Sequence, residues 1–261
     1  MSALSLTMRD SSTMLRRNLL HARRYPSLTL NLLLTPVMLL LLFVYIFGDT
    51  MSAGIGGGNR SDYIAYLLPG ILLMTIGSTT IGTAVSVSTD MTEGIIARFR
   101  TMAIHRQSVL IGHVAGSVLQ CVMSVILVGA VGVAIGFRST DATAMEWLAA
   151  FGLLVLFALA LTWIAVGMGL VSPNAEAAGN NAMPLIFLPL ISSAFVPVDA
   201  MPGWFRPIAE YQPFTPAIET LRGLLLGTGI GNNGWIAVAW CLGLTALGYR
   251  WSKARFDRDA T

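Results

Sequence analysis

Charge is scarce in this chain and lysine is almost missing: 11% of the 261 residues are Asp, Glu, Lys or Arg, and Lys253 is the one lysine. A soluble domain carries about 25% charged residues to face water, so a soluble globule of this length is excluded. The lone lysine stands in Trp251-Ser252-Lys253-Ala254. That run lacks the glycine spacing and the following Ser or Thr of a phosphate-binding P-loop, so ATP hydrolysis must come from another polypeptide. The glycine-rich runs at 54–58 and 227–231 lie in no strand-to-helix turn and read as loops and helix ends. Cysteine is nearly absent too. Cys121 and Cys241 both fall inside apolar runs, with no metal-ligand spacing and no disulfide framework, and read as buried apolar side chains. There is no H-E-x-x-H, no paired carboxylate and no Ser/His/Asp set at one depth, which leaves a membrane enzyme no residues to work with.

What the chain has instead is apolar length. Apolar residues make up 55% of it, and they arrive in blocks near 28–48, 67–87, 109–137, 147–171, 180–198 and 235–249. About 20 such residues span a bilayer as a helix, so the expected fold is an all-α membrane protein with six transmembrane helices. The first block lies too far in for a cleaved leader and reads as retained. Pro36 should bend it. The fifth is the least regular, interrupted by Pro184, Pro189 and Pro197, which a spanning segment tolerates among partners or beside a cavity. These blocks hold no Asp, Glu, Lys or Arg, and His113 is the one candidate for a proton relay, read as an interfacial histidine. Near-neutral spans suit a passage for an amphipathic substrate rather than a proton relay.

Twelve basic residues fall on one side of this arrangement: Arg9, Arg16, Arg17, Arg23, Arg24, Arg98, Arg100, Arg106, Arg250, Lys253, Arg255 and Arg258. Four fall on the other, Arg60, Arg138, Arg206 and Arg222. The positive-inside rule then places both termini in the cytoplasm, and the arginine-rich, nearly lysine-free composition points to a bacterial plasma membrane. The expected organisation is one transmembrane domain over 1–261. It comprises a cytoplasmic amphipathic segment at 1–27, a membrane region at 28–251 and a cytoplasmic tail at 252–261.

Three segments outside the blocks carry pattern. Met8, Leu15, Leu19 and Ala22 recur at helical spacing between arginines, as in a helix lying on the cytoplasmic interface. On the outer side, 199–234 holds apolar pieces too short to span, which read as re-entrant or interfacial helices. Between the second and third blocks, Asp90, Glu93 and Gly94 precede Arg98, Arg100 and Arg106, a charge order that suits a helix dipole. Ile95, Phe99 and Met102 form an apolar stripe there, as docking to a partner requires.

The Asp90–Arg106 segment, with Asn174-Ala175-Glu176-Ala177-Ala178, the run Leu185 to Pro197, Met201-Pro202-Gly203-Trp204-Phe205, Tyr211-Gln212-Pro213-Phe214-Thr215-Pro216 and Thr220-Leu221-Arg222-Gly223, resembles the permease subunits of ABC-2 type exporters, close to the daunorubicin-resistance group. The chain departs from that pattern at Gln212, where the family has Asn, and at Ile104, where it has Pro. The resemblance covers essentially the whole chain. It implies a half-transporter that pairs with a second permease copy or close relative and with two copies of an ATP-binding ABC subunit. No cofactor is then expected in this chain, ATP and Mg being bound by that partner. The implied export cargo is a hydrophobic or amphipathic compound such as an antibiotic. A lipid-linked glycan is the alternative, and a secondary transporter or channel the alternative of another class. Asp90, Glu93, Gly94, Arg98, Phe99, Arg100 and Arg106 would form a cytoplasmic coupling helix for the ATP-binding subunit. Met183, Phe187 and Phe195 are candidates to line the path. No metal site is expected.

Overall fold

The computed structural model describes residues 26–48, 59–93, 106–139 and 141–258, and these are helical without a strand. Among the described residues nine α-helices follow one another: α1 Pro26–Leu42, α2 Arg60–Thr92, α3 Arg106–Ala134, α4 Ala144–Val171, α5 Ala175–Ala182, α6 Pro184–Phe187, α7 Arg206–Tyr211, α8 Phe214–Leu226 and α9 Asn233–Arg258. Among the described residues three helices are long and apolar enough to cross a bilayer, Arg60–Thr92, Leu110–Ala134 and Ala144–Val171. At 1.5 Å per residue α2 is about 50 Å long and overruns a hydrocarbon core of about 30 Å. The amphipathic stretch expected at 8–25 lies outside the described residues.

Local chemistry sets several ends. Thr143 accepts from the Glu146 backbone N–H at 3.3 Å while Glu146 takes the Thr143 N–H at 2.7 Å, a capping box that starts α4. Asn174 caps α5 by accepting from the Ala177 N–H at 2.8 Å. Gly227 closes α8 at φ +69°, a left-handed position suited to glycine. Where the fifth block was expected as one interrupted span, the chain is in pieces. α5 gives way to α6 with Pro184 at its start, then to 3-10 turns at Leu188–Ile191 and Val198–Ala200. Each proline removes a backbone donor and obstructs the preceding turn.

Lipid tails are as apolar as leucine, so helices in a bilayer associate through close packing. Here glycines supply it. α2 lies at the centre, packed against α3, α4, α5 and α1, and α9 runs along α4. A Cβ on Gly70 would come within 2.5 Å of the Ala194 Cβ, and one on Gly77 would strike the Leu185 carbonyl. These glycines are two turns apart, so at both points α2 receives the broken fifth segment without a side chain of its own. Gly132 admits Leu68, and a Cβ there would lie 2.7 Å from its Cδ1, so the Gly132-x-x-x-Gly136 pair serves contact inside this chain. Gly248 presses on the backbone of Trp163 and Ile164, with Ser252 donating to the Trp163 carbonyl at 3.2 Å. Phe157 and Phe214 meet edge to face at 5.0 Å and join α4 to α8.

Candidate functional site

Polar side chains gather at the two ends of α2, about 36 Å apart along its axis between Tyr66 and Asp90. At its C-terminal end the helix continues past the expected limit of the second block. Thr89 and Thr92 hold the extra turns by donating to the Val85 and Ser88 carbonyls at 2.9 and 3.0 Å. This carries Asp90 into the interior, where its Oδ2 lies 3.0 Å from His113 Nε2 on α3, the side chains 8% and 7% exposed. A buried carboxylate is costly unless hydrogen-bonded, so the pair fixes the depth of α2 against α3. Two turns away the Thr83 and Ser117 hydroxyls meet and pin the same helices again.

The residues expected to form the coupling surface are therefore placed differently from one another. Asp90 is inside, on His113. Glu93 is exposed at the C-cap of α2, its N–H bonded to the Thr89 carbonyl at 2.9 Å. Arg106 opens α3. Gly94, Arg98, Phe99 and Arg100 lie outside the described residues. Among the described residues there is no group of three or more His, Cys, Asp and Glu that could hold a metal.

At the opposite end stands a cluster to which sequence reasoning gave no role, although Ser193, Gln212, Thr215 and Arg222 stand in the runs that carry the family resemblance. Arg222, on α8, lies mostly buried with its side chain 14% exposed. Its Nη1 donates to Glu219 Oε1 at 2.6 Å, and its Nη2 donates to the carbonyls of Tyr66 at 3.1 Å and Ser193 at 3.0 Å. The guanidinium carbon sits 3.8 Å from the Tyr66 ring centroid, and the Tyr66 hydroxyl donates to the same Ser193 carbonyl at 3.0 Å. The Ser193 N–H donates to Thr215 Oγ1 at 3.2 Å, and Gln212 Nε2 donates to the Leu188 carbonyl at 3.1 Å. Side chains of α2 and α8 and the residues before α8 thus satisfy backbone groups that the broken fifth segment leaves without helical partners. The signal available beforehand was an arginine inside the apolar run 216–226.

Of the three path candidates, Met183 and Phe187 are 48% and 54% exposed and one turn apart, with Leu190 continuing their stripe. Phe195 is elsewhere: its ring lies 4.7 Å from that of Phe43, where α1 relaxes into a π turn at Phe43–Phe47.

Comparison with known proteins gives a family match and two relatives. The family model described as ABC-2 type transporter matches residues 10–226. The daunorubicin resistance ABC transporter permease protein DrrB1 of Streptomyces coeruleorubidus is 29% identical over 220 residues, covering 83% of this chain and 75% of that protein. A protein named "Probable doxorubicin resistance ABC transporter permease protein DrrC", from Mycobacterium tuberculosis, is 22% identical over 190 residues, covering 68% of each.

Proposed function

Because this chain belongs to the ABC-2 type transporter family, we propose that it is the membrane-spanning permease of an ATP-driven exporter for a hydrophobic or amphipathic compound, in the manner of the drug-resistance permeases it is similar to. The observation that carries this reading is the ABC-2 type transporter match over residues 10–226, with similarity to drug-resistance permeases, in a chain whose one lysine stands in no nucleotide-binding loop. Two copies of a separate ATP-binding subunit then supply the energy and bind ATP and Mg. A second permease copy or close relative completes the passage. The chain sits in a bacterial plasma membrane with six spans, counting the broken fifth, an outer re-entrant stretch at α7 and α8, and both termini cytoplasmic.

In this reading the C-terminal end of α2 and the start of α3 flank the docking segment, with Glu93, Gly94, Arg98, Phe99, Arg100 and Arg106 facing the ATP-binding subunit. Asp90 acts from inside. Its bond to His113 and the Thr83–Ser117 contact make α2 and α3 move as one body when the partner pushes on the segment between them. Met183 and Phe187 offer the path an apolar, half-exposed face on the broken fifth segment, and Phe195 stands beside α1.

The test is reconstitution of this chain with its ATP-binding subunit in liposomes, scored by ATPase rate and by ATP-dependent movement of doxorubicin as the probe. ATP-driven drug movement that requires both subunits supports the reading. An ATPase rate and drug distribution unchanged by adding the permease would refute it. A cell-envelope defect on deletion without drug sensitivity would instead favour a lipid-linked glycan as cargo.

A further inference from the structure

We infer that Arg222 is the latch of the outer gate, holding α8 and the broken fifth segment against α2 until the transport cycle releases it. This rests on the exporter reading for its place in the cycle, and on geometry for its existence. An arginine stays charged in proteins, and in a membrane interior an ion is kept only where it is paired and hydrogen-bonded. Glu219, on the same helix, provides the neutralising charge. The remaining contacts all leave α8. One nitrogen, Nη2, bridges the Tyr66 carbonyl, 156 residues away in sequence, and the Ser193 carbonyl, 29 residues away.

Three elements therefore converge on one side chain, and none of the bonds at the junction belongs to a helix ladder within the fifth segment. That segment is pressed onto α2 through Gly70, where only the lack of a Cβ permits the approach of Ala194. At Arg222 its hold is polar, beside the apolar packing of the buried Leu185 and Ala194. Moving α2 past α8 breaks the Nη2 bond to the Tyr66 carbonyl, and the Tyr66 ring and hydroxyl leave with α2, so the hydroxyl bond to Ser193 goes too unless the fifth segment follows. The guanidinium is also not fully committed, since its buried Nε has no hydrogen-bond partner. The force reaches the latch through α2 itself, a continuous helix from Arg60 to Thr92 whose far end is clamped to α3 at Asp90.

Ser193 gives a reporter for this junction. It is buried, its backbone carbonyl takes the latch bonds, and its own hydroxyl has no partner, so Ser193→Cys leaves the latch intact. The experiment uses the permease with its ATP-binding subunit in lipid nanodiscs, in a Cys121→Ala, Cys241→Ala background, and follows labelling of Cys at 193 by a charged maleimide. Without nucleotide, the Arg222 protein labels slowly, and Arg222→Gln labels roughly tenfold faster, as loss of bonds to a charged donor predicts. Arg222→Lys labels fast as well, because an ammonium cannot bridge and stack as the planar fork does. Tyr66→Phe, which loses one hydroxyl bond alone, falls between. Equal, slow labelling in Arg222→Gln and Tyr66→Phe would overturn the latch, whatever happens to transport. If Arg222→Gln is not recovered folded, Tyr66→Phe at the parent rate overturns it alone. The nucleotide-free comparison bears on the latch only. A parent protein whose labelling ignores ATP with vanadate counts against the exporter reading instead.

Discussion

Replacing Gly70 or Gly77 by alanine sets two known effects against each other on one helix. Alanine in a helix interior is favoured over glycine by about 1 kcal/mol. Against that, the new Cβ at position 70 would stand 2.5 Å from the Ala194 Cβ and 2.9 Å from its Cα, and at position 77 it would strike the Leu185 carbonyl. Carbon atoms pack at about 3.5–4.0 Å, so α2 and the fifth segment must part by about 1 Å. What is struck is backbone or a Cβ, which cannot swing aside, so the cost belongs in the upper part of the roughly 1–3 kcal/mol seen for overpacking. After subtracting the helix gain, a net loss of about 1–2 kcal/mol remains. With about 2–4 °C per kcal/mol for chains of this size, both variants melt about 2–8 °C below the parent in detergent. Gly152 on α4 and Gly243 on α9 meet nothing within 4 Å, so Gly152→Ala and Gly243→Ala keep the propensity gain and melt about 2–4 °C higher. The assay is the loss of the monodisperse size-exclusion peak after heating. Gly70→Ala and Gly77→Ala at or above the parent, with the two controls below it, would refute the packing of the fifth segment on α2.

Three further outcomes are expected. Charge reversal at Glu93 or Arg98 leaves the protein folded and ATP hydrolysis running but cuts transport several-fold; normal transport by the double-alanine variant would make the segment an ordinary loop. A double-mutant cycle on Asp90→Asn and His113→Gln, read by thermal stability, gives a coupling energy of about 1–3 kcal/mol; strict additivity would dissolve the pair. Thr143→Val removes the capping side chain of α4 and costs about 1 kcal/mol, seen as a lower melting temperature with unchanged transport.

The membrane class and the broken fifth block were legible because they depend on composition and on proline, both local. Pro184, Pro189 and Pro197 deny backbone donors wherever they stand. Helix ends were less legible. The second block was expected at 67–87, yet α2 runs Arg60–Thr92, because its flanking Ser and Thr satisfy their own hydroxyls on the helix and let it continue through a polar stretch. That extension took Asp90 from an expected surface to the interior, where His113, 23 residues on, stands at the same level of the neighbouring antiparallel helix. An acidic residue and a histidine at matching depths of consecutive apolar blocks was the readable sign. Arg222 was counted as one outer charge among four and quoted in the Thr220-Leu221-Arg222-Gly223 run of the resemblance, without a role of its own. Nothing in the run around it says that Tyr66 and Ser193 come together there, since that meeting depends on how α8 folds back onto α2.

The hydroxyls of α2 have a mechanical consequence. Thr75, Ser78, Thr79, Thr80, Thr89 and Thr92 each donate to a carbonyl three or four residues earlier in the same helix. Their polarity is spent inside the rod, so every such bond travels with it. When α2 turns or slides, these groups neither lose a partner nor seek a new one, and the motion meets little resistance from them. A helix that looks sticky by composition thus keeps these hydroxyls out of its contacts with neighbours, and its polar fastening lies at Asp90, Thr83 and Tyr66, beside the glycine packing at Gly70 and Gly77.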